Sequence, residues 1–301
     1  MDDARPQNPI LGIFWMLVTG LCFVAVTALV KYMGDRIPAP ESAFLRYLIG
    51  LVFLIPLIPH LRRSHPTARQ WRLFGFRGLS HAFGVMLWFY AMTQIPIAEV
   101  TAMNYLAPVY VTIGAAIFLK EKLAARRIAA VVCALLGALI ILRPGFREVD
   151  PGHLAMLLAG LVFGASYLLA KVLADEVDPT YVVASLSIIV TIVLAPFALV
   201  VWVTPTLAEL GLLLAVAFFA TAGHYTMTLA LRAAPVTVTQ PVTFLQLVWA
   251  TLLGYVVFAE AIDIWVVLGG GLILGSVTFI AWREAVLRRR RITPTAPETK
   301  L

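Results

Sequence analysis

Hydrogen-bonding side chains recur at helical spacing within two otherwise apolar stretches of the sequence. They are Thr101, Asn104 and Tyr105 in the stretch 97–119, and Gln240, Thr243 and Gln246 in the stretch 235–258. Offsets of three or four residues place each set on one face of a helix. Such groups can replace the water that a polar ligand loses when it enters an apolar environment. The spacing predicts two polar stripes that bind a small molecule, with hydrogen bonding between helices as the alternative.

A second group of candidate residues carries aromatic or imidazole rings inside other apolar stretches. Its members are His81, Trp88, Tyr90, Tyr167, His224 and Tyr225. Their rings would pack against an aromatic cargo, although tryptophan and tyrosine also gather where helices meet the membrane surface. We interpret the two histidines as neutral hydrogen-bonding groups in preference to proton carriers. Together with the two polar stripes, these rings form the predicted binding site.

These residues lie in a chain with the composition of a membrane protein. Of its 301 residues, 61% are hydrophobic and 13% are charged, with a mean hydropathy of +0.92, whereas soluble domains are about half apolar and a quarter charged. A helix needs about 20 apolar residues to cross a bilayer. The candidate spans are 10–33, 42–59, 73–94, 97–119, 127–143, 153–174, 180–203, 209–232, 235–258 and 264–286. The sequence therefore predicts an all-α polytopic membrane protein with ten transmembrane helices and short loops.

The distribution of lysine and arginine predicts the orientation of the chain. With the N-terminus inside, seventeen basic residues fall on cytoplasmic segments and four on the outer side, and cytoplasmic loops characteristically retain such residues. We predict a multi-pass protein of the plasma membrane, of the bacterial inner-membrane kind, with both termini cytoplasmic. The isoelectric point near 9.6 follows from these loop charges and does not indicate nucleic acid binding. Residues 288–301 are predicted to be a basic segment that meets anionic lipids, followed by a disordered tail.

One apolar phrase occurs twice, 140 residues apart. Residues 20–31 read GLCFVAVTALVK and residues 160–171 read GLVFGASYLLAK, and ten of 24 aligned positions in this region are identical. A shift of 139 residues aligns later positions, including Glu121 with Glu260. Because each copy contains five spans, an odd number, the second copy must cross the membrane in the opposite direction. We predict a five-helix repeat at 1–145 and an inverted five-helix repeat at 146–287, arranged around a central cavity.

Two longer stretches resemble a known family of membrane proteins. They are ALVKYMGDRIPAPESAFLRYLIGLVFLIPLI at 28–58 and YLAPVYVTIGAAIFLKEKLAARRIAAVVCALLGALIIL at 105–142. Both resemble the EamA-type branch of the drug/metabolite transporter superfamily, and within it the bacterial exporters of aromatic and other neutral amino acids. The resemblance implies a basket of ten helices that exports amino acids and related small metabolites by alternating access, without a cofactor. One departure is Leu186, which stands where the second copy would hold a partner to Arg46.

Two features of the charged residues bear on mechanism. Arg46 lies within the second span, where its guanidinium would either bind a cargo carboxylate or extend to the membrane surface. Every Asp and Glu lies in a tail, in a loop or at the end of a span. Because proton-driven transporters commonly hold a carboxylate in the transport path, we predict uncoupled facilitation.

Other functions remain open alternatives at this point. Within transport they are exchange of phosphorylated sugars or nucleotide-sugars, proton-coupled export of drugs or metabolites, and lipid flipping. An intramembrane enzyme is disfavoured, because the sequence has no H-E-x-x-H, G-x-S-x-G or Gly-rich phosphate motif. The expected partners are therefore the lipid bilayer and a small molecule, with no metal and no prediction of oligomeric state.

Overall fold

The structure, a computed structural model, describes residues 8–57, 66–118, 125–174, 176–177, 179–234, 238–239 and 242–292. Its helices are α1 (Pro9–Met33), α2 (Ala39–Gly50, continued by a 3₁₀ segment at Leu51–Leu57), α3 (Ala68–Gln94), α4a (Ile97–Asn104), α4b (Ala107–Phe118), α5 (Ala125–Leu142), α6 (Pro151–Ala174), α7 (Pro179–Val200), α8 (Leu207–Ala233), α9 (Phe244–Phe258) and α10 (Ile264–Ile292). Seven of these spans are long and apolar enough to cross a membrane by themselves. The all-α fold with ten spans is confirmed.

Corresponding helices of the two repeats begin in the same way. Thr67 caps α3 by accepting a hydrogen bond from the Gln70 backbone, while the Gln70 side chain accepts one from the Thr67 backbone at 2.9 Å. Thr206 and Glu209, each 139 residues further on, form the same reciprocal box at the start of α8. These caps satisfy backbone donors that helix starts leave unpaired. They explain why α3 begins at Ala68, five residues before the predicted start of the third span.

The fourth span is broken, where the sequence predicted one helix over 97–119. Helix α4a ends at Asn104 and α4b begins at Ala107. Pro108 follows the break, and a proline has no N–H to donate to the carbonyl four residues earlier, which belongs to Asn104. The break therefore turns the chain at the residue on which the first polar stripe is centred.

The helices pack in pairs that repeat the internal symmetry. Helix α1 packs on α8, and α3 packs on α6, which are equivalent pairs under the 140-residue repeat. Helix α5 packs on α10 through reciprocal glycines. A Cβ at Gly137 would lie 2.7 Å from the Gly269 carbonyl oxygen, and a Cβ at Gly269 would lie 2.5 Å from that of Gly137. The ten spans thus form two inverted five-helix repeats, and every one of these pairings crosses from one repeat to the other.

The end of the chain departs from its prediction. Helix α10 continues to Ile292 and so includes the four arginines at 288–291. The basic segment therefore extends the last span as a helix. The predicted disordered tail beyond residue 292 lies outside the described residues.

Candidate functional site

A cavity of about 260 Å³ lies between the two repeats. It is bordered by the middle of α2, α3 and α6, by the junction of α4a and α4b, and by parts of α1, α8 and α9. Its lining residues are Met16, Thr19, Gly20, Phe23, Arg46, Tyr47, His81, Val85, Trp88, Asn104, Phe163, Tyr167, His224, Met227, Leu231, Thr243 and Gln246. Because both repeats contribute to the wall, the cavity has the position that inverted-repeat transporters use for cargo.

One wall of the cavity is a cluster of rings. Phe163 and Tyr167, one turn apart on α6, are stacked with ring centroids 6.0 Å apart and planes at 12°. The His81 ring lies 5.0 Å from Phe163, and Trp88 contacts the same phenylalanine at 6.5 Å. Flat ring faces of this kind pack best against another flat ring.

His81 is fixed by hydroxyl groups on both sides. Its Nε2 lies 3.0 Å from the Tyr47 hydroxyl and its Nδ1 lies 3.3 Å from the Ser166 hydroxyl. A hydroxyl both donates and accepts, so both ring nitrogens find partners without the ring being protonated. This geometry fits the expected neutral, hydrogen-bonding histidine and holds Tyr47 at the cavity edge.

Another part of the wall carries amides and hydroxyls. Asn104 ends α4a and Thr243 directly precedes α9, and the Tyr105 hydroxyl ties these two places together by donating to the Thr243 carbonyl oxygen at 2.8 Å. Gln246 lies one turn further along and passes close to Gly20, where a Cβ would be 3.4 Å from the Gln246 Cβ. The polar wall is therefore anchored by a side chain that itself stays outside the cavity.

Cavity-lining positions are related by the internal repeat. Phe23 and Phe163 are equivalent under the shift of 140 residues, and Asn104 and Thr243 under the shift of 139. Val85 with His224, and Trp88 with Met227, are further equivalent pairs that line the cavity. The cavity thus lies where the two copies face each other, and it is not a gap confined to one of them.

The structure brings most of the predicted site residues together. Arg46, His81, Trp88, Asn104, Tyr167, His224, Thr243 and Gln246 line the cavity. Thr101 is buried in α4a and Tyr105 packs behind the polar wall. Tyr90 lines a separate pocket beside the loop at 34–38, and Tyr225 is 66% exposed on the outside of α8. Gln240 lies outside the described residues.

Their positions around the helix explain why Tyr90 and Tyr225 lie away from the cavity. Tyr90 follows Trp88 by two positions, about 200° around α3, and Tyr225 follows His224 by one position, about 100° around α8. In both cases the cavity-facing residue was also predicted, so its neighbour had to face elsewhere. Tyr90 and Tyr225 therefore do not line this cavity.

Sequence reasoning missed several wall residues. The sequence did not predict three aromatic residues that line the cavity, Tyr47, Phe23 and Phe163. A single aromatic residue in an apolar span has no pattern that marks it as a site residue. The internal repeat could have identified two of them, because Phe23 and Phe163 occupy equivalent positions in the two copies.

The end of the bundle where α1, α3 and α5 end, here called the Lys31 end, is tied together by ion pairs. Lys31 pairs with Glu260 at 2.5 Å, and Glu260 also accepts a hydrogen bond at 3.0 Å from the Ile97 backbone at the start of α4a. Buried Glu99 accepts hydrogen bonds from Arg147 at 2.9 and 2.8 Å and contacts His153. The hydrogen bonds to Glu99 raise the pKa of the Arg147 guanidinium.

Apolar residues fill the space between these ion pairs and the cavity. Val30, Met92 and Met103 belong to one core cluster and are at most 1% exposed. The cavity extends in the other direction, toward Met16 and Leu231 near the opposite end. The Lys31 end is therefore the closed end of the cavity.

Comparison with known proteins assigns the fold to a family. A model described as the EamA-like transporter family matches the chain twice, over residues 10–143 and 150–282. The chain belongs to the EamA-like transporter family. Each match covers one set of five spans, so this EamA-like protein is a multi-pass membrane transporter.

Individual relatives are similar over nearly the whole length of this EamA-like chain. A riboflavin transporter of Rhizobium johnstonii is 29% identical, covering 96% of each chain, and one of Vibrio cholerae is 31% identical, covering 95% of this chain and 98% of the relative. An S-adenosylmethionine uptake transporter of Rickettsia bellii is 26% identical, covering 97% and 100%. A solved crystal structure matches with a TM-score of 0.57 at 19% identity, over 91% of this chain and 98% of that one, which supports the fold alone.

Proposed function

We propose that this transporter carries a small metabolite with a flat aromatic or heteroaromatic ring, and that the cavity between the repeats is its binding site. The observation that carries the proposal is the stacked pair Phe163 and Tyr167 beside His81 and Trp88. A cavity that offers both ring faces and amide groups suits a molecule with a flat apolar ring and a polar part.

The relatives support a ring-bearing cargo and shift the emphasis away from amino-acid export. Their names specify riboflavin and S-adenosylmethionine, both of which carry fused heteroaromatic rings. The sequence predicted export of aromatic and other neutral amino acids and related small metabolites. Of these, the aromatic amino acids fall within the present proposal, because their side chains carry flat rings. The direction of transport and the choice among these cargoes are decided by the experiment below.

The transport step that we propose is alternating access between the two repeats. In the described conformation the cavity is closed toward the Lys31 end by apolar packing and ion pairs. Because the repeats are inverted copies, exchanging their conformations would close the opposite end and open this one. We propose that this exchange is uncoupled from protons. None of the described cavity-lining residues is Asp or Glu, and Glu99 is held by Arg147 and His153.

Transport by purified protein in liposomes tests the proposal. Labelled riboflavin, S-adenosylmethionine and tryptophan would be supplied one at a time, in both directions and with or without a pH gradient. We expect at least one to move faster than in empty liposomes, independently of the gradient. Tyr167→Leu, which removes a stacked ring from the wall, should slow transport roughly 3- to 10-fold, since an aromatic pair contributes about 0.5–1.5 kcal/mol.

Tyr225→Leu is the matched control, because it removes the same ring from the outer surface of α8 and should leave the rate unchanged. Equal losses in the two variants would show that the ring wall is not the binding site. Movement of a sugar phosphate but of none of the three ring compounds would overturn the proposed cargo. A strict requirement for the pH gradient would overturn the uncoupled mechanism.

A further inference from the structure

Arg46 is a buried guanidinium that faces the cavity without an anionic partner among the described residues. It lines the cavity from within α2 and is 9% exposed. In the described part of the chain it takes part in no ion pair or hydrogen bond. Its guanidinium carbon lies 3.9 Å from the centroid of the Tyr47 ring, a contact that uses none of its N–H donors. The donor fork of Arg46 is thus available to a ligand.

Arg77 shows how the same bundle accommodates an arginine that has no ligand to bind. It is 7% exposed in α3, which packs against α2, but it does not line the cavity. Its Nη1 donates to the Val182 carbonyl oxygen of α7 at 2.6 Å. Arg77 therefore donates to the backbone through Nη1, although its Nε has no hydrogen-bond partner among the described residues, whereas Arg46 faces the cavity and donates no hydrogen bond within that part of the chain.

The cavity wall does not neutralise Arg46 from another direction. The titratable side chains beside it among the described lining residues are His81, His224, Tyr47 and Tyr167, and no carboxylate is among them. A charge inside a membrane is costly and is normally retained where it has a functional partner. None of the described residues supplies that partner, which leaves the cargo as the candidate.

We infer that Arg46 is the anion-binding residue of the cavity, and that the cargo carries a carboxylate or phosphate beside its flat ring. The inference rests on the proposed function and narrows its substrate class. The anion-binding and ring-binding parts of the cavity adjoin. The Tyr47 ring contacts the Arg46 guanidinium, and the Tyr47 hydroxyl is hydrogen-bonded to His81 Nε2 of the ring wall at 3.0 Å. Asn104 and Gln246 also line the cavity and offer amide oxygens to a cargo ammonium or hydroxyl group.

The size of the cavity favours a compact cargo. At about 260 Å³ it lies just below the range of roughly 300–1,000 Å³ that is usual for drug-sized ligands. A compact zwitterion with one ring fits this space better than a flavin bearing a phosphate ester. Riboflavin itself has no anionic group and would leave Arg46 unpaired.

Binding of matched compounds to the purified protein in lipid nanodiscs tests the inference. Tryptophan and tryptophanamide differ in the anionic charge of one group, and flavin mononucleotide and riboflavin differ in one phosphate. We expect tryptophan to bind about 10- to 100-fold more tightly than tryptophanamide, the range expected of a bidentate charge-assisted contact. Arg46→Gln should reduce this ratio to about one by weakening tryptophan selectively.

Two further variants separate recognition from folding. Arg77→Gln removes an equally buried arginine outside the cavity and should leave the ratio unchanged. Arg46→Lys retains the charge but not the planar fork, so it should keep part of the preference even if Arg46→Gln does not fold. An Arg46-dependent preference seen with the flavin pair alone would assign the anion as phosphate.

The outcomes distinguish this inference from the function on which it rests. Equal binding of charged and uncharged partners, or a preference that survives in Arg46→Gln and Arg46→Lys alike, would overturn the role of Arg46. The ring-binding function would then stand. Failure of all four compounds to bind, with no transport of S-adenosylmethionine in the liposome experiment, would overturn the proposed function, and the inference with it.

Discussion

Charged residues at the Lys31 end and in the cavity differ in their partners. At the Lys31 end, Lys31 pairs with Glu260, and Glu99 pairs with both Arg147 and His153. In the cavity, Arg46 is as buried as many of these groups, yet it meets a tyrosine ring instead of a carboxylate. These two sets of ion pairs hold helices together, whereas the described residues give Arg46 no ion pair where the two repeats face each other.

The paired charges hold helices together, whereas Arg46 is available to bind a ligand. A buried charge without a partner weakens a fold, so it persists only where something else is gained. At the Lys31 end each pair joins elements of different repeats or different spans, which favours the closed arrangement. The comparison therefore predicts that removing paired charges alters stability and closure, whereas removing Arg46 alters recognition.

The largest effect on stability is expected at Glu99. Glu99→Gln would leave Arg147 and His153 without their anion, and breaking a fully buried pair costs about 3–5 kcal/mol. Because the Arg147 side chain is 27% exposed, we expect a loss nearer ~2 kcal/mol, seen as a fall of several degrees in Tm in detergent. Glu148→Gln changes an exposed acid next to Arg147 in the chain and should leave Tm unaltered. A similar Tm for both variants would show that the triad is not structural.

A smaller effect, on closure instead of stability, is expected at Glu260. Glu260→Gln weakens the pair with Lys31 and the hydrogen bond to the Ile97 backbone, so the Lys31 end should open more often. A partly buried pair contributes about 1 kcal/mol, which corresponds to roughly a 5-fold change in the open population. The measurement is the labelling rate of Asn104→Cys by an impermeant maleimide applied at the Lys31 face, with Cys22 and Cys133 replaced by alanine.

The same measurement includes a control at the opposite end of the bundle. Glu176→Gln breaks an ion pair there and should not accelerate labelling from the Lys31 face. If neither variant changes the labelling rate, the ion pairs do not control closure. Labelling from each face in turn also tests the predicted orientation of the termini.

Most of the fold was predictable because a membrane restricts the possibilities. Apolar stretches of about 20 residues can only be spans, and the repeated phrase with its Lys31 and Lys171 marks two copies of odd span number. The break after Asn104 was not predicted, because a proline within an apolar stretch does not interrupt its hydropathy. The early start of α3 depends on the Thr67 cap, which hydropathy does not register.

The site was less predictable because hydropathy does not show which face of a membrane-spanning helix points into the protein. Around a water-exposed helix, polarity marks the outer face, but lipid is as apolar as the protein core. Tyr225 and His224 were therefore equivalent candidates until the packing of α1 on α8 placed one of them inside. The unpaired state of Arg46 depends on every neighbouring helix, so no pattern within α2 alone could show it.

The smallest effect on stability is expected at Glu176, because its ion pair with Arg69 is exposed to solvent. Arg69 donates to both Glu176 carboxylate oxygens, at 2.7 and 2.8 Å, but the Arg69 side chain is 58% exposed. Exposed pairs contribute little to stability, so the Tm of Glu176→Gln should differ from wild type by no more than the limit of detection at pH 7. The hydrogen bonds from Arg69 and Gln70 lower the pKa of Glu176 below its ordinary value of 4.5.

The sign of the pH dependence at Glu176 follows from that direction. A lowered pKa in the folded state stabilises the protein above pH ~4.5, and this contribution disappears as the pH falls through the folded-state value. Any difference in Tm between wild type and Glu176→Gln should therefore shrink on acidification. A difference as large as that of Glu99→Gln, or one that grows at low pH, would mean that pairing alone, without burial, makes a charge structural in this protein.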